Sequence, residues 1–314
     1  MTGLAYAGKI IETSPIPGAD RIILATAICG SGGKWRGVVS KGIDRDNIVV
    51  ILPDSIVPES DPDFKFMEGY HYRVRQRRFK GVPSECLILE DKTKSDIGTD
   101  LTTNLGIIKY EKPSISAEAL GDFPGFIPKT DEPLLQKVSN MLDHLNGKPY
   151  IITLKMDGSS TTAYNYNGHF GVCSRNQELK PGDNAYWRVA RKYNLENHLD
   201  EGMAIQYETC GPKVQNNKIG LKEIDGYAFQ GYDIRSGVYL REVGGIMNHV
   251  PIIEQGDSFQ YNQDELQFMA EGMRYKNGSP AEGIVVRPME EMRVSIGLEN
   301  LRLSFKVINL LYRD

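Results

Sequence analysis

Along residues 1–110, apolar residues come in short runs rich in Val, Ile and Tyr. The runs at 9–12, 21–28, 35–40, 48–52, 71–74 and 86–89 are separated by Pro-Ile-Pro-Gly-Ala-Asp, Gly-Ser-Gly-Gly and Pro-Asp-Ser turns. Short strands at this spacing predict a small β-barrel. Residues 110–125 mix polarity with Pro, Ser and Gly and read as a linker. Leu134, Leu135, Val138, Leu142 and Leu145 then fall at helical spacing, predicting a helix over residues 133–145 with Asp131 as its N-cap. From Tyr150 onward strands dominate again, with helices expected around 184–193 and 264–274. No internal repeat is visible.

A length of 314 residues implies about two domains. With 40% apolar and 25% charged residues, the chain is neither disordered, collagenous nor a coiled coil. No stretch approaches the roughly 20 apolar residues of a membrane helix, and the start lacks the apolar core of a secretory signal. A cytoplasmic protein without a membrane partner is expected. Cys29, Cys86, Cys173 and Cys210 are scattered and form no C-x-x-C pair, so reduced, buried thiols are predicted. The five histidines are too dispersed for a histidine metal cage.

The net charge of −4 says little, but its distribution says more. Residues 1–110 hold 15 basic and 14 acidic side chains, and a basic excess is concentrated at Arg73, Arg75, Arg77, Arg78 and Lys80. Those five are predicted to grip a nucleic-acid backbone, with a solvated edge strand as the bland alternative.

Candidate chemistry centres on Lys155-Met156-Asp157-Gly158, which follows the apolar run Tyr150-Ile151-Ile152-Thr153. A lysine at the end of a buried strand, before a tight turn, projects into a cleft. Four companions follow in order. Glu208 ends an apolar segment before Thr209-Cys210-Gly211. Tyr227 to Ile234 carries Phe229, Tyr232 and Asp233. Glu282-Gly283 opens the strand Ile284 to Arg287. Lys306 interrupts the apolar strand Leu303 to Ile308. Singly, each has a structural explanation; the ordered set is what carries information.

These segments resemble motifs I, III, IIIa, IV and V of the covalent nucleotidyltransferases, the superfamily of ATP-dependent DNA ligases, RNA ligases and mRNA capping enzymes. Cys173-Ser174-Arg175-Asn176 is similar to motif Ia. Only eight residues follow Lys306, so no barrel is expected after motif V; the barrel-like segment precedes the motifs instead. That order, with Phe126-Ile127-Pro128-Lys129-Thr130-Asp131-Glu132 and a terminal Phe305-Lys306-Val307-Ile308-Asn309, resembles RNA ligases of the Naegleria/Deinococcus type. Pro17 to Arg21 and Phe79 to Ser84 resemble RNA-binding barrels of the tRNA-binding kind.

The resemblance implies an α+β protein: an OB-like RNA-binding domain over 1–110, a linker over 111–125, and an adenylation domain over 126–314 built on antiparallel sheets with flanking helices. It implies an ATP-dependent RNA ligase, acting as a monomer on nicked duplex or broken RNA ends. Alternatives are a DNA ligase, an mRNA guanylyltransferase, or an inactive nucleic-acid-binding relative. Lys155 would attack the α-phosphorus of ATP and carry AMP, with Lys306 as a second catalytic charge. Arg175, Glu208, Phe229, Glu282, Lys306 and Lys129 would bind ATP, with Phe229 stacking on adenine and Tyr232 as the alternative.

Attack requires a neutral amine, which three carboxylates alone would disfavour; a cation among them reverses the sign. Asp157, Glu208 and Glu282 are therefore expected to serve Mg²⁺ or Mn²⁺, partly through water. Relatives often show two motif V lysines spaced K-x-K. Here Ser304 holds the first of those places, so Lys306 acts alone or with Arg302.

Overall fold

A computed structural model describes residues 3–30, 33–111, 117–241, 245–296 and 299–312. The chain opens with four strands, β1 (Ala5–Pro15), β2 (Ile22–Cys29), β3 (Lys34–Ser40) and β4 (Ile48–Ile51). Short strands follow: β5 (Ser55–Ile56), β6 (Arg73–Val74), β7 (Arg77–Phe79), β8 (Val82–Ser84), β9 (Leu87–Glu90) and β10 (Ile108–Lys109). A five-stranded antiparallel sheet runs in the order β3-β2-β1-β4-β9, and β10-β5-β6 form a second sheet. The edges of the larger sheet are drawn together at Arg36 and Glu85. Glu85 N donates to Arg36 O at 2.7 Å, and Arg36 N donates to the Glu85 carboxylate at 3.0 Å. A side chain thus supplies the acceptor that an unpaired edge amide needs.

The segment read as a linker is partly regular. Its residues 112–116 lie outside the described residues, but β11 (Ala119–Asp122) joins a seven-stranded sheet by pairing with β15. The expected helix over 133–145 is broken. A 3₁₀ turn spans Leu135–Lys137 and α1 spans only Met141–Leu145. Two pairings explain the break. Lys306 N donates to Pro133 O at 2.8 Å, and Leu134 bridges Lys306 in parallel, holding the first residues extended. The apolar spacing still places Leu135, Val138, Met141 and Leu145 in one core. Asp131 does not cap a helix; it pairs with Arg175 at 2.8 Å.

The remaining strands are β12 (Tyr150–Lys155), β13 (Ser159–Tyr166), β14 (His169–Cys173), β15 (Gln177–Leu179), β16 (Met203–Cys210), β17 (Asp225–Asp233), β18 (Val238–Leu240), β19 (Ile252–Gly256), β20 (Gly283–Pro288), β21 (Arg293–Ile296), β22 (Glu299–Arg302) and β23 (Phe305–Ile308). The helices after α1 are α2 (Ala185–Lys192), α3 (Leu195–His198) and α4 (Gln263–Gly272). Asn184 caps α2 by accepting from Trp187 N, and Asn262 caps α4 in a capping box with Glu265. Two antiparallel sheets face one another across the site: β11-β15-β14-β13-β16-β17-β18 and β19-β12-β20-β23. The architecture is the expected α+β one.

The two halves share packing. Leu134 belongs to the core of the N-terminal sheet and Ile308 packs against it. Arg36 reaches Asp264 on α4 at 2.8 Å, and Arg78 pairs with Glu271 on the same helix at 2.9 Å. All four cysteines are buried and free. Among the described residues, no helix is long and apolar enough to cross a membrane.

Candidate active site

Alternation along the four-stranded sheet builds the site. Ile152, Ile284, Val286, Phe305 and Val307 point into one core, while Thr153, Lys155, Val285, Arg287 and Lys306 line a cleft of about 1460 Å³ on the other side. Register aligns them: Thr153 lies opposite Val285, Lys155 opposite Gly283, and Val285 opposite Lys306. The cleft extends to Leu52–Asp54, Arg73, Arg75 and Lys109 of the N-terminal sheets.

Lys155 ends β12 and is 22% exposed, with Nζ 2.7 Å from Glu282 Oε2. Tyr275 braces both partners: its hydroxyl donates to Lys155 O at 3.0 Å and accepts from Glu282 N at 3.1 Å. Burial pushes that phenol well above its ordinary pKa, with Glu282 and Asp157 adding to the effect. It stays a neutral donor. Two glycines allow the closeness. A Cβ on Gly158 would meet Thr209 O at 2.3 Å and Glu208 Cγ at 2.8 Å. Gly283 has φ +152, and a Cβ there would stand 2.1 Å from Val307 O.

The three acids are not equivalent. Glu208 and Glu282 line the cleft, whereas Asp157 is 2% exposed and sits behind it, bonded to the Tyr312 hydroxyl. No group of three His, Cys, Asp or Glu residues poised to hold a metal occurs among the described residues. Glu208 and Glu282 present their carboxylates to the cleft, and Asp157 lies behind them. A cation coordinated mainly by water and phosphate, with one or two carboxylates, suits this donor set, and that is the usual habit of Mg²⁺.

Lys306 is half-buried on β23, and no carboxylate among the described residues lies within ion-pair distance of its amine. Burial and then the Lys155 charge hold its pKa below the ordinary lysine value, against the pull of Asp54, Glu282 and Asp131.

Phe229 reaches the cleft through a bulge. Gln206 pairs with Gln230 and Tyr207 with Ala228, leaving Phe229 as the extra residue of β17. Arg287 Nη1 meets its carbonyl at 3.4 Å. Tyr232 is partly buried on β17 with its ring centroid 5.1 Å from that of Tyr239, and it does not line the cleft. Lys129 and Arg175 occupy one rim, where Lys129 donates to Asn176 Oδ1 at 3.2 Å and Arg175 pairs with Asp131.

The five basic residues of the N-terminal half divide. Arg73 and Arg75 line the cleft, but Arg77, Arg78 and Lys80 do not. Arg73 is buried, stacked 3.5 Å over Tyr110 and paired with Asp54 at 3.2 Å. Arg77 stacks 3.8 Å over Tyr70, and Arg78 joins the two halves of the molecule through Glu271. Lys80 is exposed in a left-handed turn.

Sequence reasoning missed a polar girder beside Phe229. Glu132 accepts from Arg287 Nη2 at 2.6 Å, and Arg302 lies 3.9 Å from the same oxygen. Burial alone would raise the Glu132 pKa, but the two guanidiniums outweigh it and hold the carboxyl low. Ser304, in the place of a motif V lysine, is fully buried and accepts from Arg287 Nε at 3.1 Å. The signal was available: Arg287 shares the parity of Val285 on β20, which is the cleft parity.

A family model described as RNA ligase matches residues 148–308, just over half of the chain. The chain belongs to the RNA ligase family. Solved structures of Naegleria gruberi RNA ligase resemble it along nearly its whole length. A mutant with ATP and Mn matches at 29% identity and a TM-score of 0.80, covering 98% of this chain and 97% of that one. An apo aspartate-to-alanine mutant matches at 30% identity and a TM-score of 0.80, covering 98% and 96%. The same enzyme with PPi matches at 29% and 0.80, covering 98% and 97%. No curated protein matches this RNA ligase family member in sequence.

Proposed function

We propose that the protein is an ATP-dependent ligase that seals RNA nicks, joining a 3′-hydroxyl to a 5′-phosphate through a lysyl–AMP intermediate. The observation that supports this most is Lys155 Nζ held 2.7 Å from Glu282 at the floor of a cleft shared by both halves of the molecule. At about 1460 Å³ the cleft exceeds the usual small-molecule pocket and leaves room for an RNA end beside a nucleotide.

In the first step Lys155 Nζ attacks the α-phosphorus of ATP, an N–P bond forms, and pyrophosphate leaves. Glu282 Oε2, already the acceptor of the ammonium hydrogen bond, is placed to take the proton. AMP then passes to the RNA 5′-phosphate, and the 3′-hydroxyl displaces it to close the phosphodiester. Phe229 supplies a face for adenine, Lys129 and Arg175 polar contacts at one rim, and Lys306 positive charge near the phosphates. Glu208 and Glu282 would hold Mg²⁺ or Mn²⁺ through its water shell, with Asp157 behind them; the cation supplies charge neutralisation at the phosphates. Residues 1–110 and 126–314 act as two domains, with Arg73 and Arg75 facing RNA. In this reading it acts as a monomer in the cytoplasm.

The test is incubation with α-labelled ATP and magnesium. An acid-labile adduct with the mass of one AMP is expected, absent in Lys155→Ala. No adduct with any nucleotide would overturn the reading, and an adduct with GTP alone would indicate a guanylyltransferase. A panel of RNA/DNA mixed nicks tests the strand preference.

A further inference from the structure

The junction between the N-terminal sheets and the catalytic fold carries a charge imbalance. Asp54 is its hub. It adopts the left-handed conformation at φ 63, a region that Asp tolerates better than most residues. Its amide donates to Val74 O at 3.0 Å, and its carbonyl accepts from Tyr110 N at 2.7 Å, so its position is fixed from two strands. Its carboxylate takes Arg73 at 3.2 Å, and Arg73 is pinned over the Tyr110 ring.

Two further lysines look onto the same carboxylate from the catalytic side. Lys137 ends the 3₁₀ turn Leu135–Lys137, and the charges that act on it are Asp54 and Lys109. Lys306 feels Asp54 as well. Arg73, Lys109, Lys137 and Lys306 all line the cleft. No carboxylate among the described residues pairs with the amine of Lys109, Lys137 or Lys306 within 4.0 Å. The other acids of this wall are committed elsewhere: Asp131 to Arg175, Glu132 to Arg287 and Glu282 to Lys155. Even counting Glu111 at the exposed rim, four cations face two carboxylates. Burial lowers the Lys137 pKa, as expected where an ammonium has lost water without gaining a partner. Such an arrangement is stabilised by a multiply charged anion.

We propose that Lys137 and Lys109, together with Arg73 and Lys306 around Asp54, form a phosphate-binding subsite that spans the domain junction. The class of ligand is a phosphate group carried on a chain. The source, either the β- and γ-phosphates of the nucleotide or a phosphodiester of the RNA, rests on the ligase reading; the site itself does not.

The experiment compares wild type, Lys137→Ala, Lys137→Arg, the Lys109→Ala/Lys137→Ala double variant, and Lys92→Ala as a remote control. Binding is read first, without chemistry: the thermal shift given by inorganic pyrophosphate, and fluorescence anisotropy of a 5′-phosphorylated nicked RNA across a salt series. Single-turnover sealing of pre-adenylylated RNA and the KM for ATP in adduct formation follow. A subsite for RNA predicts at least a tenfold loss of RNA affinity in the double variant. Its log–log salt slope should fall by about one to two, with recovery in Lys137→Arg and an unchanged KM for ATP. A subsite for the nucleotide predicts loss of the pyrophosphate shift and at least a tenfold rise in the KM for ATP, with pre-adenylylated RNA sealed normally. If the double variant matches Lys92→Ala in both binding assays, the subsite does not exist. Failure of the ligase reading would look different, since wild type would then form no adduct while the binding contrasts remained measurable.

Discussion

Gly283→Ala is the most telling single change, because one hydrogen-to-methyl replacement touches the lysine, its acid and the strand that carries Lys306. The new Cβ would stand 2.1 Å from Val307 O, against the 3.0 Å below which such contacts are essentially absent, so β20 and β23 must part by about 0.9 Å. Gly283 also sits at φ +152, where an L side chain adds about 1–3 kcal/mol of backbone strain. Moving β20 moves Glu282 next to it and Lys155 opposite it. A misplacement near 1 Å in a reacting geometry costs about 10²-fold in rate. The expected result is a hundredfold slower formation of the AMP adduct with a melting temperature lower by several degrees. Gly42→Ala, where a Cβ meets nothing within 4 Å, should change neither. The assay is single-turnover adduct formation followed by intact mass, alongside a thermal melt. A folded Gly283→Ala protein that adenylylates within threefold of wild type would refute the claim that strand spacing sets the lysine–acid geometry.

Arg287→Ala should destabilise by up to about 3 kcal/mol, because it leaves the Glu132 carboxylate in the interior with only the more distant Arg302; equilibrium urea unfolding measures it. The Glu132 carboxyl is held below its unfolded value, so its contribution is full above the unfolded pKa and disappears as pH falls through the folded one. Wild-type stability should therefore drop on acidification in that window, and the drop should shrink in Glu132→Gln. Lys306→Met should abolish adduct formation yet raise the melting temperature, since a buried ammonium with a lowered pKa is a cost below its folded pKa; a lower melting temperature would contradict this. Phe229→Ala should raise the KM for ATP about 5- to 160-fold with a smaller effect on sealing of pre-adenylylated RNA, at about 1–3 kcal/mol per stacked base.

The strand positions of the site were legible because period-two alternation separates core from cleft, and Lys155, Glu208 and Lys306 all stand at cleft parity; Glu282 has the parity of the core residues Ile284 and Val286 and reaches the cleft because it precedes β20. The helix over 133–145 was misread because local spacing is blind to a distant partner: Lys306, well over a hundred residues away, claims Pro133 and Leu134 for an extended pairing. The division of the basic run between the cleft and other contacts was hidden for a similar reason. Nothing local says that Arg77 has Tyr70, or that Arg78 has Glu271 on a helix of the other half. Asp157 looked like its fellow acids in sequence, and only the fold places it behind them, against Tyr312. Lys137 escaped notice because its neighbour Asp54 lies in the other half of the molecule.

The bulge at Phe229 has an evolutionary implication. The ring faces the cleft because β17 has one residue more than β16 requires between two paired positions, so its aim is a matter of counting rather than of side-chain chemistry. Descendants of this sequence can exchange the aromatic for another flat side chain and keep its orientation. Loss of a single codon there would turn the ring to the opposite face while leaving the composition nearly untouched. Selection at this spot acts on strand length first and residue type second.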